Sequence, residues 1–213
     1  MGKIKQGILG GFSGKVGPVI GAAWKGIAYM RGMALSHYDP KTQEQLEQRA
    51  KFGMMSKFVA LAGVFIKIGF KSAESGTTAQ DEAMSYNLKN AVSGTYPNYS
   101  PDLTKVRFAT GSLPNVESPN ATDDSAGNIH VTWTDNSGVG EATGEDPIMV
   151  LFYDKDKNDV RMILQENLRA SEEVTLETPL SWSGDTVHVY CYAKSVKSSN
   201  CSTSTHVGSV IAS

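Results

Sequence analysis

The chain has 213 residues, 40% hydrophobic and 20% charged, a globular composition that excludes a disordered or fibrous protein and allows one large domain or two small ones. Its near-neutral balance of 20 Lys+Arg against 22 Asp+Glu hides a split: residues 1–75 hold eleven basic and four acidic residues, net +7, and the rest nine against eighteen, net −9. This excludes one uniform unit. A basic segment suits acidic partners, either nucleic acid or the acidic half of another copy.

Lys3 and Lys5 precede only a short, glycine-broken apolar run, Gly7 to Phe12, so no export signal is expected. Phe58 to Phe70 is the most apolar stretch. It has 13 residues and contains Lys67, whereas a membrane-spanning helix needs about 20 apolar residues. A buried helix without membrane insertion is expected. Cys191 and Cys201 are too few for a disulfide framework and fit a reducing compartment, which points to cytoplasmic synthesis.

Nine of the first 32 residues are glycine, without a collagen period. Such an arm permits close backbone contact but needs a partner surface to offset its entropy. Between Val16 and Ala34 the sequence turns at Lys25-Gly26 and predicts a hairpin. A two-residue loop sets Trp24 opposite Ile27, Ala22 opposite Tyr29 and Ile20 opposite Arg31, making one face aromatic and apolar. The other face, with Val19, Gly21 and Ala23 against Ala28, Met30 and Gly32, is flat enough for another backbone to approach. An isolated hairpin is marginal in water, so this one must pack on something. Val19, Ile20, Gly21, Trp24, Ile27, Tyr29 and Arg31 are the candidate assembly residues.

His37-Tyr38-Asp39-Pro40 breaks the chain, and Thr42 with Gln45 fits a capping box. Leu46, Ala50, Met54, Phe58, Leu61, Phe65 and Ile68 then form a continuous helical stripe, joined from Met55 by Val59, Ala62 and Ile66. Glu44, Glu47 and Gln48 should stay wet. Gly53 and Gly63 mark close packing or a break. A shorter helix is predicted from Ala79 to Val92. Beyond Tyr96-Pro97 and Ser100-Pro101 come seven short β-branched runs: Lys105–Leu113, Asn128–Thr134, Ile148–Tyr153, Val160–Gln165, Val174–Leu176, Asp185–Tyr192 and Thr205–Ile211. Their spacing predicts an antiparallel sandwich. Alternation aims Ile129, Val131 and Trp133, and Val187, Val189 and Cys191, inward. This half resembles a fibronectin-type-III or immunoglobulin-like module with Trp133 as the core aromatic.

The order of motifs along the chain carries a second resemblance. Gly14-Lys15-Val16-Gly17-Pro18-Val19-Ile20-Gly21, Trp24-Lys25-Gly26, Tyr29-Met30-Arg31, Gln48-Arg49-Ala50-Lys51-Phe52, Val131-Thr132-Trp133-Thr134-Asp135-Asn136 and Gly184-Asp185 follow one another. Together they resemble a family of unknown function common in Bacteroidetes bacteria and their prophages. The resemblance implies architecture and a phage context but no chemistry.

Recognised sites are poorly matched. Gly10 to Lys15 approaches a phosphate loop, yet Leu9 stands where the first glycine is required and Val16 where Ser or Thr should hold magnesium. Asp154-x-Asp156-x-Asn158 begins like a calcium loop, but Asp159 replaces the glycine and Gln165 the bidentate Glu. His37, His130, His188 and His206 lack ligand spacing, and His130 and His188 fall on outward strand positions. Cys191 and Cys201 can meet across a hairpin or remain reduced. No nucleophile and base are marked by spacing, so no catalytic residue, metal site or cofactor is assigned.

The expected fold is α+β: a Gly-rich arm and β-hairpin over residues 1–34, a helical region over 35–98, and an Ig-like β-sandwich over 99–213. The expected function is a non-enzymatic structural or assembly protein, a virion or prophage component that forms homo-oligomers or joins other structural proteins through its arm. The alternative is a nucleic-acid binder using the basic half, where Trp24, Tyr29 and Tyr38 interleave with Lys25 and Arg31. A weaker alternative is carbohydrate or surface recognition through Trp182 or Tyr99.

Overall fold

The computed structural model describes residues 2–4, 10–24, 26–34, 36, 39–70, 77–124 and 127–213, without the side chains of residues 165 and 166. The chain divides into two compact units, residues 1–43 and 44–213.

In the first unit, β1 (Lys3–Ile4), β2 (Phe12–Val16), β3 (Val19–Trp24) and β4 (Ile27–Gly32) form an antiparallel sheet in that order. The hairpin predicted from the sequence is therefore half of a larger sheet. Trp24 pairs with Ile27, Ala22 with Tyr29 and Ile20 with Arg31. Gly26 at the turn has φ +85°, a value that favours glycine; its turn partner Lys25 lies outside the described residues. Strand β2 has two partners: Gly14–Val16 pair with β3, while Phe12 pairs with Ile4. The Gly11–Phe12 segment folds across the small-residue face. A Cβ on Gly21 would sit 2.2 Å from the Phe12 carbonyl oxygen, and one on Gly11 2.2 Å from the Ala28 Cβ. The backbone that approaches this flat face is thus the chain's own.

From Glu44 on, the second unit holds α1 (Gln43–Leu61) and α2 (Gly63–Gly69), bent by 83° at the break between them. The stripe read as one long helix is broken at Ala62-Gly63. Bending lays Met55, Phe58 and Val59 of α1 and Phe65 and Ile66 of α2 on one core. No single helix among the described residues is long and apolar enough to cross a membrane. Helix α3 (Ala79–Asn90) starts on a capping box in which the Thr78 hydroxyl accepts from Asp81 N–H and the Asp81 carboxylate from Thr78 N–H. Residues 92–101, where no strand was expected, form a small hairpin of β5 (Val92–Thr95) and β6 (Asn98–Pro101).

The remaining seven strands among the described residues build an antiparallel sandwich. β7 (Glu117–Asp123), β8 (Asn128–Thr134) and β11 (Glu173–Glu177) make one sheet in the order β11-β8-β7. β9 (Pro147–Asp154), β10 (Asp159–Leu168), β12 (Thr186–Ala193) and β13 (Thr205–Ile211) make the other in the order β10-β9-β12-β13. Three strands facing four in this order is an immunoglobulin-like arrangement of the fibronectin-type-III kind. Ile129, Val131 and Trp133 meet Val150, Phe152, Val187, Val189 and Cys191 between the sheets.

One predicted strand is displaced. Lys105–Leu113 makes only isolated bridges at Thr110 and Leu113, and its Val106, Phe108 and Ala109 are buried against the helices. The strand that takes its place, β7, contains Pro119, Ser118 at φ +47° and a register shift, features tolerated at a sheet edge.

The four-stranded sheet is buried on both faces. Met149, Leu151 and Tyr153 of β9 and Tyr190 and Tyr192 of β12 point away from the sandwich into the core shared with α1, α2 and α3. Phe65 meets Tyr192 edge-on at 4.7 Å, Phe108 meets Tyr190 at 4.8 Å, and Phe58 meets Tyr153 at 5.2 Å. The Tyr192 hydroxyl donates to the Phe65 carbonyl and that of Tyr190 to the Leu103 carbonyl, so the buried phenols keep partners. The sequence predicts boundaries at 34/35 and 98/99. Here the division follows Gln43, and helices and sandwich share one hydrophobic core. The charge boundary after Ser75 lies outside the described residues.

Candidate interaction surface

The pairing of β3 with β4 decides where the candidate residues stand. Register puts Ile20, Trp24, Ile27, Tyr29 and Arg31 on one face and Val19 and Gly21 on the other. Gly21 is buried beneath Phe12, and Val19 and Ile20 are half-buried. Trp24, Ile27 and Tyr29 are 61%, 65% and 45% exposed, and Arg31 is exposed beside them. Met30, on the opposite face and 70% exposed, was not a candidate; nothing in the alternation separated it from its small neighbours. This unit carries six basic residues and Asp39, net +5, and the second unit carries the balance, net −7.

Among the described residues strand β4 also ends the sheet. Met33 N–H donates to the Pro18 carbonyl at 2.7 Å, in register with the ladder. Antiparallel alternation then turns the backbone groups of Ile27, Tyr29 and Arg31 inward, and those of Ala28, Met30 and Gly32 out along the free edge.

His188 Nδ1 and His206 Nε2 lie 3.1 Å apart on neighbouring strands, a pairing the sequence could not reveal because 17 residues and a bulge separate them. Burial lowers the pKa of both, and for His188 the neighbouring imidazole adds to the effect. His130 is outward as expected, linking Asp124 Oδ2 at 3.2 Å to Thr175 Oγ1 at 2.9 Å. This acid–imidazole–hydroxyl row stands partly exposed on the three-stranded sheet, and Asp124 is also engaged by Asn128. It ties the β7–β8 turn to β11. His37 lies outside the described residues.

Both cysteines are free and buried, Cys191 between the sheets and Cys201 on the helix side. Burial raises Cys191 to about 12 and also raises Cys201, so neither is a ready thiolate. Trp182, a candidate sugar contact if exposed, is fully buried in the sandwich core, and half-buried Tyr99 donates to Glu47. Residues 10–15 lead into strand β2, with no helix at their end to hold a phosphate. Asp154 caps the β9–β10 turn by accepting from Asp156 and Lys157 N–H. No group of three or more metal-binding side chains occurs among the described residues.

The largest buried polar feature is Arg169. Its guanidinium donates to the Pro114 carbonyl and to Asn136 Oδ1 and faces Asp146 at 3.7 Å. Asp146 in turn accepts from Thr143 and Val196. These bonds tie four loops together at one end of the sandwich, which is structural work.

Among solved structures, the fibronectin type III domain of the human collagen alpha-1(XX) chain is similar over 48% of this chain and 90% of that domain, with 13% identity and a TM-score of 0.37. The search of curated proteins gives no match. The family of unknown function DUF6266 matches residues 11–208, nearly the whole chain including the β2–β4 surface, and the protein belongs to that family.

Proposed function

We propose that this protein is a non-enzymatic structural component that self-associates through its N-terminal sheet and presents the Ig-like sandwich as a spacer or binding head. The observation that carries the reading is the exposed apolar face of β3 and β4, with Trp24, Ile27 and Tyr29 open on a unit of 43 residues. Contiguous exposed apolar surface of this kind marks interaction sites. The opposite net charges of the two units favour contact between copies, and other structural proteins of the same assembly are further partners. Cytoplasmic synthesis and a prophage or virion setting complete the reading, and genomic neighbours test that setting.

Light scattering across a concentration series tests self-association. Mass should rise with concentration at low salt and fall in 1 M salt, where the Debye length is about 3 Å. Ile27→Asp should reduce the mass at every concentration. A monodisperse monomer throughout ends the proposal. A nucleic-acid reading is favoured by one observation, the exposure of Trp24 and Tyr29 beside Arg31 on a basic unit. It fails if the chain does not shift labelled DNA or RNA at low salt.

A further inference from the structure

Sheet edges, rather than faces alone, identify the partner strand. In the sandwich, the β9–β10, β12–β13 and β7–β8 pairings each contain a register shift. The β8–β11 ladder has none, and β11 ends its sheet among the described residues. Bulges discourage edge-to-edge pairing, so β11 is the sandwich edge best shaped to accept a strand. It is also acidic, with Glu173 and Glu177 exposed and Glu172 just before it. The β3–β4 ladder is likewise unshifted, and its free edge belongs to the basic unit.

Backbone polarity restricts the register. Trp133 N–H donates to the Glu172 carbonyl and Thr178 N–H to the Gly127 carbonyl, both in register with the β8–β11 ladder. Residues 172, 174, 176 and 178 therefore bond inward, and Glu173, Thr175 and Glu177 present their N–H and C=O groups outward. On β4 the outward groups are those of Ala28, Met30 and Gly32. An antiparallel join must match outward groups with outward groups. Setting Met30 opposite Glu173 and Ala28 opposite Thr175 brings Tyr29 beside Val174, Ile27 beside Leu176 and Arg31 beside Glu172. A shift of two residues one way puts Arg31 beside the buried Val174, and a shift the other way puts it beside Ala170, in the 3-10 turn ahead of the strand.

We infer that β4 of one copy adds in antiparallel register to β11 of a second copy, Met30 opposite Glu173, in a head-to-tail contact. This rests on the self-association reading and names the surface that receives the sheet. Because each copy offers one β4 and one β11, the contact propagates into a filament unless its rotation closes a ring.

Disulfide trapping tests it. Cα atoms of a hydrogen-bonded antiparallel pair lie about 5.5 Å apart, within disulfide range. Met30→Cys and Glu173→Cys are single changes at exposed positions, and the native thiols are buried. Mixing the two variants under mild oxidation should give a disulfide-linked heterodimer by mass, with little cross-linking of either variant alone. Arg31→Glu added to the Met30→Cys chain should cut the yield several-fold. Cross-linking of Met30→Cys with itself indicates symmetric β4–β4 pairing, and that of Glu173→Cys with itself pairing of β11. Either result overturns this inference while self-association stands, as does absence of cross-links in a chain that still associates. A chain that neither cross-links nor associates overturns both.

Discussion

The two units treat a β-sheet's apolar face in opposite ways. In the sandwich, β9 reads Ile148-Met149-Val150-Leu151-Phe152-Tyr153 and every one of these residues is buried, because a second sheet covers one side and three helices the other. In the N-terminal unit the same kind of alternation leaves Trp24, Ile27 and Tyr29 exposed, because the cover seen among the described residues, the Gly11–Phe12 segment, lies on the other face. A short, glycine-rich segment cannot bury what it carries. The same hydrophobic periodicity therefore means core in one unit and contact surface in the other.

The sharpest way to break this contrast is to remove cover from the sandwich. Phe65→Ala deletes the ring against Tyr192 and Phe108 and should cost about 3–5 kcal/mol in denaturant unfolding. Ile27→Ala, also a large apolar residue in a regular element, should change stability by less than about 0.5 kcal/mol while lowering association. Equal losses from the two would dissolve the distinction. Asp146→Ala should be as severe as the phenylalanine change, about 3–5 kcal/mol, since it strips the buried Arg169 guanidinium of its carboxylate and leaves Thr143 and Val196 N–H without an acceptor.

A smaller effect sharpens the comparison from the other side. Gly21→Ala places a methyl group against the Phe12 carbonyl and ring, costing about 1–3 kcal/mol by overpacking. Hydrogen exchange should show faster amides in β2–β4 and unchanged protection in β9 and β12. Loss of protection in both would mean that the two units unfold as one.

The smallest effect is the pH response of the histidine pair. Both folded pKa values are depressed, so above pH about 6.5 the imidazoles are neutral folded and unfolded. As pH falls below that value the unfolded chain binds protons first, and stability is lost until the folded values are passed. Lys155 reinforces the depression at His188 and Asp156 opposes it. Urea midpoints measured from pH 7.5 to 5 should fall less in His206→Gln than in the wild type; parallel curves would remove the pair from the acid response.

Much of this was legible locally. The six runs that became β8 to β13 are rich in Val, Ile, Thr and Tyr, and their alternation is a property of each run alone. Trp24 opposite Ile27 follows from a two-residue turn. Strand β7 was illegible because Glu-Ser-Pro-Asn-Ala-Thr-Asp has no strand propensity; it is a strand because the β8 edge offers it hydrogen bonds. Lys105–Leu113 failed for the converse reason, its apolar residues being taken by the helix-side core. The arm's cover was hidden too, since no local pattern says that Gly11 and Phe12 will cross Gly21 and Ala28.

By itself the sequence determined the opposite charges of the two halves, the strand alternation, the turn at Gly26 and the apolar stripe of the helices, all set by residue type and spacing within a few positions. Only the tertiary structure decided that the helices bend at Ala62-Gly63 and cap the four-stranded sheet, that His188 meets His206, and which apolar face stays open. Those outcomes depend on competition among distant segments for the same buried area, a quantity that no single segment carries.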